Sequence, residues 1–197
     1  MARTDDNVHV ICLEGEHGVG KSELFTALHT HPRIGEDFIG VPSVEQFHKQ
    51  DPVCQIDWVK HWFTNLRAVL RPYWNPTSGR YIDLRSDGRA IVSDRSPYSA
   101  AVYARREKDV VLSTVKMYVR EHERLGVRFD VVCLRRDRDD VWSDVLSRLE
   151  AEPGREEFDE GSREHFDKTC LIYDTWDVFA NKRHIATAAG FARYLTE

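Results

Sequence analysis

The chain lacks the features that mark secreted, metal-clipped or membrane proteins. Its four cysteines, Cys12, Cys54, Cys133 and Cys170, are scattered through 197 residues with no C-x-x-C pair. That spacing suggests neither a disulfide framework nor a zinc site, and Cys12 and Cys133, set in apolar runs, read as small core residues. No apolar run approaches the roughly 18 residues of a membrane span. The N-terminal stretch Met1-Ala2-Arg3-Thr4-Asp5-Asp6 is polar and has no secretory apolar region, so a reducing, cytoplasmic setting and no membrane partner are expected. Excess positive charge is also missing. The 28 basic and 33 acidic residues leave a net charge of −5, which argues against a broad nucleic-acid surface. Lysine is scarce, 7 against 21 arginines; arginine suits bidentate phosphate contacts, and a codon bias gives the same ratio.

What is present is a well-mixed globular chain without repeats, 41% hydrophobic and 31% charged, long enough for one domain over 1–197 with a small lid. Short β-rich runs alternate with amphipathic stretches. Val8–Leu13, Asp37–Val41, Ala90–Ser93, Phe129–Leu134 and Arg183–Ala186 read as strands. Helices are expected from about Gly20 to Leu28, from Ile56 to Leu70, over Tyr98–Arg106 and Val110–Leu125, along the Val141–Leu149 face, and from Phe166 through Phe179. Tyr73 to Arg89 reads as an irregular connection, and Gly126 as a helix C-cap. The alternation predicts an α/β fold with a parallel sheet.

Gly15-Glu16-His17-Gly18-Val19-Gly20-Lys21-Ser22 matches G-x-x-x-x-G-K-[ST] at every fixed position. The glycines permit positive φ and let backbone N–H groups approach phosphate oxygens; the next helix adds its positive end. Lys21 is placed to reach the β- and γ-phosphates and Ser22 to ligate Mg²⁺. A strand before the loop and an apolar helix after it supply the right context. Glu16 and His17, though inside the loop, have no assigned task and read as solvent-exposed positions.

Asp94-Arg95-Ser96 stands at the carboxyl end of an apolar strand, where a P-loop fold puts its ligand crevice. Asp94 is a candidate to hold Mg²⁺, and Arg95 to bind the acceptor or stabilise the transferred phosphoryl group. The alternative is a surface Asp-Arg pair.

With these residues in view, the chain resembles the deoxynucleoside kinase and thymidylate kinase superfamily, and within it the herpesvirus-type thymidine kinases. Leu13 to Ser22 is similar to that group's phosphate loop, with a His before the second Gly. Asp94-Arg95-Ser96-Pro97 and Ala100-Ala101-Val102-Tyr103 resemble its Asp-Arg-His-Pro segment. Arg148-Leu149, Pro153-Gly154, Asp159 and Tyr173-Asp174-Thr175-Trp176 resemble its lid and following helix. The resemblance implies a P-loop fold with a parallel five-stranded sheet, an Arg-bearing lid at about 148–158, ATP with Mg²⁺ as donor, and phosphate transfer to the 5′-hydroxyl of a pyrimidine deoxynucleoside, thymidine foremost. Relatives commonly pair through helices, so a homodimer is one alternative for the oligomeric state.

The pattern departs from that group in three places. Where it carries a base after the second strand, this chain has Ser43, with Glu45 two residues on. Glu45 is either the base or a helix-start carboxylate. A missing base favours a nucleoside monophosphate acceptor, already ionised, over a hydroxyl. For base recognition, Gln55 is nearest to the family's Gln, with ordinary solvation as its alternative. Trp58 and Trp62 are candidates for stacking, Trp62 more naturally for the core. The lid carries Arg148 and Arg155 as phosphate clamps, or as exposed salt-bridging arginines, while Glu150 and Glu152 stand where basic residues are expected. Arg135, Arg136 and Arg138 are substitutes. The acidic run Glu156–Glu160 reads as a solvated helix start. A regulatory nucleotide-binding module is the reading from another class, but no guanine-reading Asn-Lys-x-Asp element supports it.

Overall fold

The computed structural model describes residues 7–29, 38–39, 51–83, 91–179, 182–183 and 190–191. In chain order the elements are β1 (Val8–Glu14), α1 (Lys21–His29), β2 (Phe38–Ile39), α2 (Pro52–Leu70), β3 (Trp74–Asn75), β4 (Arg80–Tyr81), β5 (Ile91–Asp94), α3 (Ser99–Tyr103), α4 (Lys108–Arg124), β6 (Val127–Leu134), α5 (Arg138–Ala151), α6 (Arg163–Thr175) and β7 (Lys182–Arg183), with 3₁₀ turns at Arg71–Tyr73, Pro153–Phe158 and Asp177–Phe179. The main sheet has the strand order β2-β5-β1-β6-β7, and β3 and β4 form a separate pair. β2 and β5 run parallel with Phe38 opposite Val92, and β6 and β7 run parallel with Cys133 opposite Lys182. The expectation of helices around a parallel sheet holds. The implied parallel five-stranded sheet is met in part. Among the described residues only β1, β5 and β6 exceed two residues, and β2 and β7 are two-residue pieces.

The chain divides into two compact units, residues 1–12 with 32–130 and residues 13–31 with 131–197. In the first, α2 is set by its sequence. The Asp51 carboxylate accepts from Val53 N at 2.9 Å and Pro52 occupies the first turn, where its missing N–H would be unpaired anyway. Trp58, Val59, Trp62, Phe63, Leu66 and Leu70 then recur at three- and four-residue spacing and are wholly buried, against α3 and α4. Phe63 stacks on Tyr118 at 5.0 Å and lies 4.8 Å from the ring of His122.

His122 is wholly buried. Its Nδ1 lies 2.8 Å from Tyr118 O and its Nε2 accepts from Arg67 Nε at 3.3 Å. That arrangement uses the neutral imidazole with its proton on Nδ1, and burial pushes its pKa down. The segment expected to be irregular contains the β3–β4 hairpin, whose Trp74 and Tyr81 rings meet edge to face at 5.1 Å. Gly126 ends α4 as expected, at φ +91; a methyl there would stand 2.5 Å from Tyr81 O.

In the second unit, Asp137 caps α5 by accepting from Asp139 N and Asp140 N, and Ser162 caps α6 by accepting from His165 N. Val141, Val145 and Leu149 form the buried face of α5, and Phe166, Cys170 and Tyr173 that of α6. The stretch expected as one helix to Phe179 ends at Thr175 and continues as a 3₁₀ turn. Of the last predicted strand, Arg183–Ala186, only Arg183 lies within the described residues, where β7 is Lys182–Arg183. All four cysteines are free thiols; burial pushes Cys133 up to about 12 and Cys170 up to about 11, which makes both inert packing residues. No helix among the described residues is long and apolar enough to cross a membrane.

Candidate functional site

The predicted residues fall into two groups, one in each unit. The glycine loop, Gly15 to Ser22, leads from β1 into α1. Gly15, Gly18 and Gly20 all take positive φ, at +140, +77 and +96, so the spacing of glycines in the sequence is the spacing of backbone turns that L side chains resist. The three are not equivalent. A methyl on residue 15 would lie 2.9 Å from Leu134 O, and one on residue 18 would lie 2.8 Å from Val145 Cγ2 and 3.2 Å from Val141 O. A methyl on residue 20 meets nothing within 4 Å; it would project into open space. Lys21 is 5% exposed, and its ammonium donates to Gly15 O and Glu16 O, both at 2.7 Å. The loop is thus curled around a cation, with an open face at Gly20 and the N-terminus of α1 at its end. Such a cradle fits a phosphate chain. Ser22 is exposed on the first turn of α1.

Glu16 and His17 are not the solvent-exposed positions expected. Glu16 is wholly buried because Arg135, from the segment after β6, meets its Oε2 at 3.2 Å. Arg135 also donates to Asp174 Oδ1 at 2.7 Å, and Arg138 holds the other oxygen of Asp174. Arg136 donates to Gly18 O at 3.4 Å. The cations expected as substitutes around the phosphates are therefore committed in the structure to carboxylates and to the loop backbone. Immediately before the loop, Glu14 is wholly buried and accepts from Tyr173 Oη at 2.9 Å.

Arg148 and Arg155, expected as lid arginines, are also paired. Arg148 Nη2 donates to Glu160 Oε2 at 2.8 Å, and Arg155 donates to Glu160 Oε1 at 3.3 Å and to Glu152 Oε2 at 2.5 Å. His17 Nδ1 lies 3.8 Å from Glu160 Oε1, so one carboxylate touches Arg148, Arg155 and the glycine loop. The Glu160 side chain is only 3% exposed, which corrects the solvated reading at that residue, while Glu156 of the same run is exposed. Burial follows from the partners: two guanidiniums balance a charge that would otherwise be costly to desolvate.

The second group lies in the other unit. Asp94 ends β5, and Arg95 follows at φ +84, a conformation costing an L residue roughly 1–2 kcal/mol. The Arg95 carbonyl accepts from Ser93 Oγ at 2.8 Å and from Trp62 Nε1 at 3.3 Å. The Arg95 guanidinium lies over the Tyr103 ring, 5.7 Å from its centroid. Ser96 Oγ accepts from Tyr98 N at 3.1 Å, which starts the turn into α3. Gln55 and Trp58 are wholly buried on α2, on the same side as Trp62 by their spacing of three and four. Full burial replaces the solvated reading of Gln55. Trp62 is in the core, as expected. Glu45 lies outside the described residues.

Sequence reasoning missed Glu160, Arg135 in its pairing role, Glu14 and the Tyr173 hydroxyl. Only Glu160 had a local signal, a carboxylate just before the Gly161-Ser162 helix start.

No protein-family model matches the chain, and no curated protein matches it. Among solved structures, it is similar to a deoxyadenosine kinase from M. mycoides with bound dATP, at TM-score 0.52 and 15% identity, over 95% of this chain and 99% of that one. With so little shared sequence, that likeness concerns architecture alone: the chain has the α/β fold of that deoxyadenosine kinase.

Proposed function

We propose that this chain is an ATP-dependent phosphotransferase that acts on a deoxynucleoside, with residues 1–197 working as one kinase domain and 148–158 as its lid. The carrying observation is the loop at 15–22, with three positive-φ glycines around a buried lysine and open space at Gly20. ATP is the donor. Lys21 and the loop amides hold its β- and γ-phosphates. Lys21 then exchanges its two carbonyl contacts for phosphate oxygens, which are better partners for an ammonium.

In this reading the acceptor's 5′-oxygen attacks the γ-phosphorus, the bond from that phosphorus to the β–γ bridging oxygen breaks, and ADP leaves. The hydroxyl proton passes to a carboxylate, for which Glu45 is the candidate. Arg95 binds the acceptor's 5′ end and offsets charge on the moving group, and Arg148 and Arg155 close over it. Gln55 and Trp58 are the candidates for recognising the base. Mg²⁺ neutralises phosphate charge when bound. Ser22 and Asp94 are the residues to hold it, and a hydroxyl with one carboxylate is a sufficient protein share for an ion that keeps its waters and phosphate oxygens. Most of the rate in such chemistry comes from positioning and electrostatics.

Thymidine is the acceptor proposed, on the likeness of residues 13–22, 94–103 and 148–176 to herpesvirus-type thymidine kinases. The second reading is a thymidylate-type monophosphate kinase, favoured by Ser43 at the position of the expected base. ADP release measured with thymidine, deoxycytidine and their monophosphates separates the two. Turnover with nucleosides supports the first; turnover confined to monophosphates supports the second; none with any of them refutes both.

A further inference from the structure

Two side chains from different elements of one unit meet at a single atom, the carbonyl oxygen of Arg95. Trp62 on α2 reaches it through its indole N–H, and Ser93 on β5 through its hydroxyl. Arg95 is also the residue whose backbone is left-handed. A non-glycine residue stays in that region only where its surroundings over-determine it. Here two donors fix the carbonyl, and the buried Tyr103 ring lies against the guanidinium.

We propose that Trp62 and Ser93 are positioning residues for phosphoryl transfer: they clamp the Arg95 carbonyl, hold its backbone left-handed, and so aim its guanidinium. This rests on the kinase reading above. The backbone conformation decides the direction. With φ negative, the chain after Asp94 would run on as strand or helix, and the Arg95 side chain would leave from a different face of the turn. Trp62 carries a second consequence. It shares a side of α2 with Gln55 and Trp58, the candidates for base recognition. The indole bond therefore ties the helix that would read the base to the arginine that would meet the 5′ end, and a displacement of α2 is passed to Arg95.

The test is steady-state kinetics on the full chain. Trp62→Phe removes the N–H and keeps an aromatic ring in the buried site. Ser93→Ala removes the hydroxyl, and Ser93→Thr retains it. Trp62→Phe and Ser93→Ala should each lower kcat by about ten- to a hundredfold, the range of a misplaced catalytic group, with KM for ATP unchanged. Ser93→Thr should keep most of the activity. In an Arg95→Ala background, both substitutions should change kcat by less than about twofold, because they act through a residue already removed. Equal losses in both backgrounds, or Ser93→Thr as damaging as Ser93→Ala, would overturn the proposal. Should Trp62→Phe fail to fold, the two Ser93 variants decide.

If the unmodified protein phosphorylates no acceptor, the kinase reading fails and thermal unfolding decides the clamp. Ser93→Ala should then lower Tm more in the native background than in Arg95→Gly, since glycine adopts positive φ without penalty. Equal lowering in the two backgrounds would refute the clamp.

Discussion

Alanine at Gly20 and alanine at Gly18 should separate nucleotide binding from stability. Both residues have positive φ, +96 and +77, so each substitution carries a backbone penalty of about 1–2 kcal/mol. At residue 20 nothing lies within 4 Å of the new methyl, so no packing cost is added. A chain of this size loses about 2–4 °C of Tm per kcal/mol, which gives a fall of about 2–8 °C. At residue 18 the methyl lies 2.8 Å from Val145 Cγ2 and 3.2 Å from the Val141 carbonyl. Overpacking of that kind adds about 1–3 kcal/mol, for a total fall of roughly 4–20 °C.

Binding should follow the opposite order of tolerance. The alanine-20 methyl stands where the loop must approach phosphate, and an affinity loss of about a hundredfold or more is expected, about 2.7 kcal/mol. The assay is thermal unfolding with and without ATP and Mg²⁺. At a ligand concentration of about 100 Kd the native protein should gain about 2.7 kcal/mol, or about 5–11 °C. Gly20→Ala, folded and only mildly destabilised, should gain almost nothing. A Gly20→Ala protein stabilised by ATP as strongly as the native one would refute the phosphate-cradle account.

Three further predictions concern stability. Burial holds His122 below its ordinary pKa of 6.5, so the unfolded chain binds the proton more readily; stability should be full above about pH 6.5 and fall as pH drops toward the folded value. His122→Gln should flatten that slope in urea titrations at several pH values. Glu160→Ala should cost about 1–2 kcal/mol by thermal unfolding. That is less than removing a fully buried ion pair, because Arg148 and Arg155 are about a third exposed and can be resolvated. Gly126→Ala combines φ +91 with a methyl 2.5 Å from Tyr81 O and should cost roughly 2–5 kcal/mol; an unchanged Tm would contradict the geometry.

The backbone of the glycine loop was legible because its determinants are local. Three glycines, a lysine and a serine within eight residues specify positive φ, a buried ammonium and a helix start without help from elsewhere. Gly126 was legible for the same reason, as a glycine closing an amphipathic stretch. Glu16 was misread because its burial depends on Arg135, 119 residues away. A charge looks solvated until its partner is known. Glu160 was misread in the same way, since its acidic neighbours suggest water while two arginines and a histidine enclose it.

The backbone of Arg95 was invisible for a different reason. Arginine has no preference for left-handed φ, and the bond from Trp62 crosses 33 positions of sequence. Trp62 itself was legible as core from its helical spacing, but its indole donor was not, because periodicity reports which face is buried and says nothing of where a buried N–H points.

The most direct measurement follows the label from γ-³²P ATP into thymidine, with mass analysis of the product, for the native protein and for Lys21→Ala. The native protein should yield labelled thymidine 5′-monophosphate with one ADP per product. Folded Lys21→Ala should lose most of that activity, about a hundredfold or more for a group stabilising the transferred charge. Near-native turnover in folded Lys21→Ala, or no transfer by the native protein to any deoxynucleoside or its monophosphate, would contradict the account.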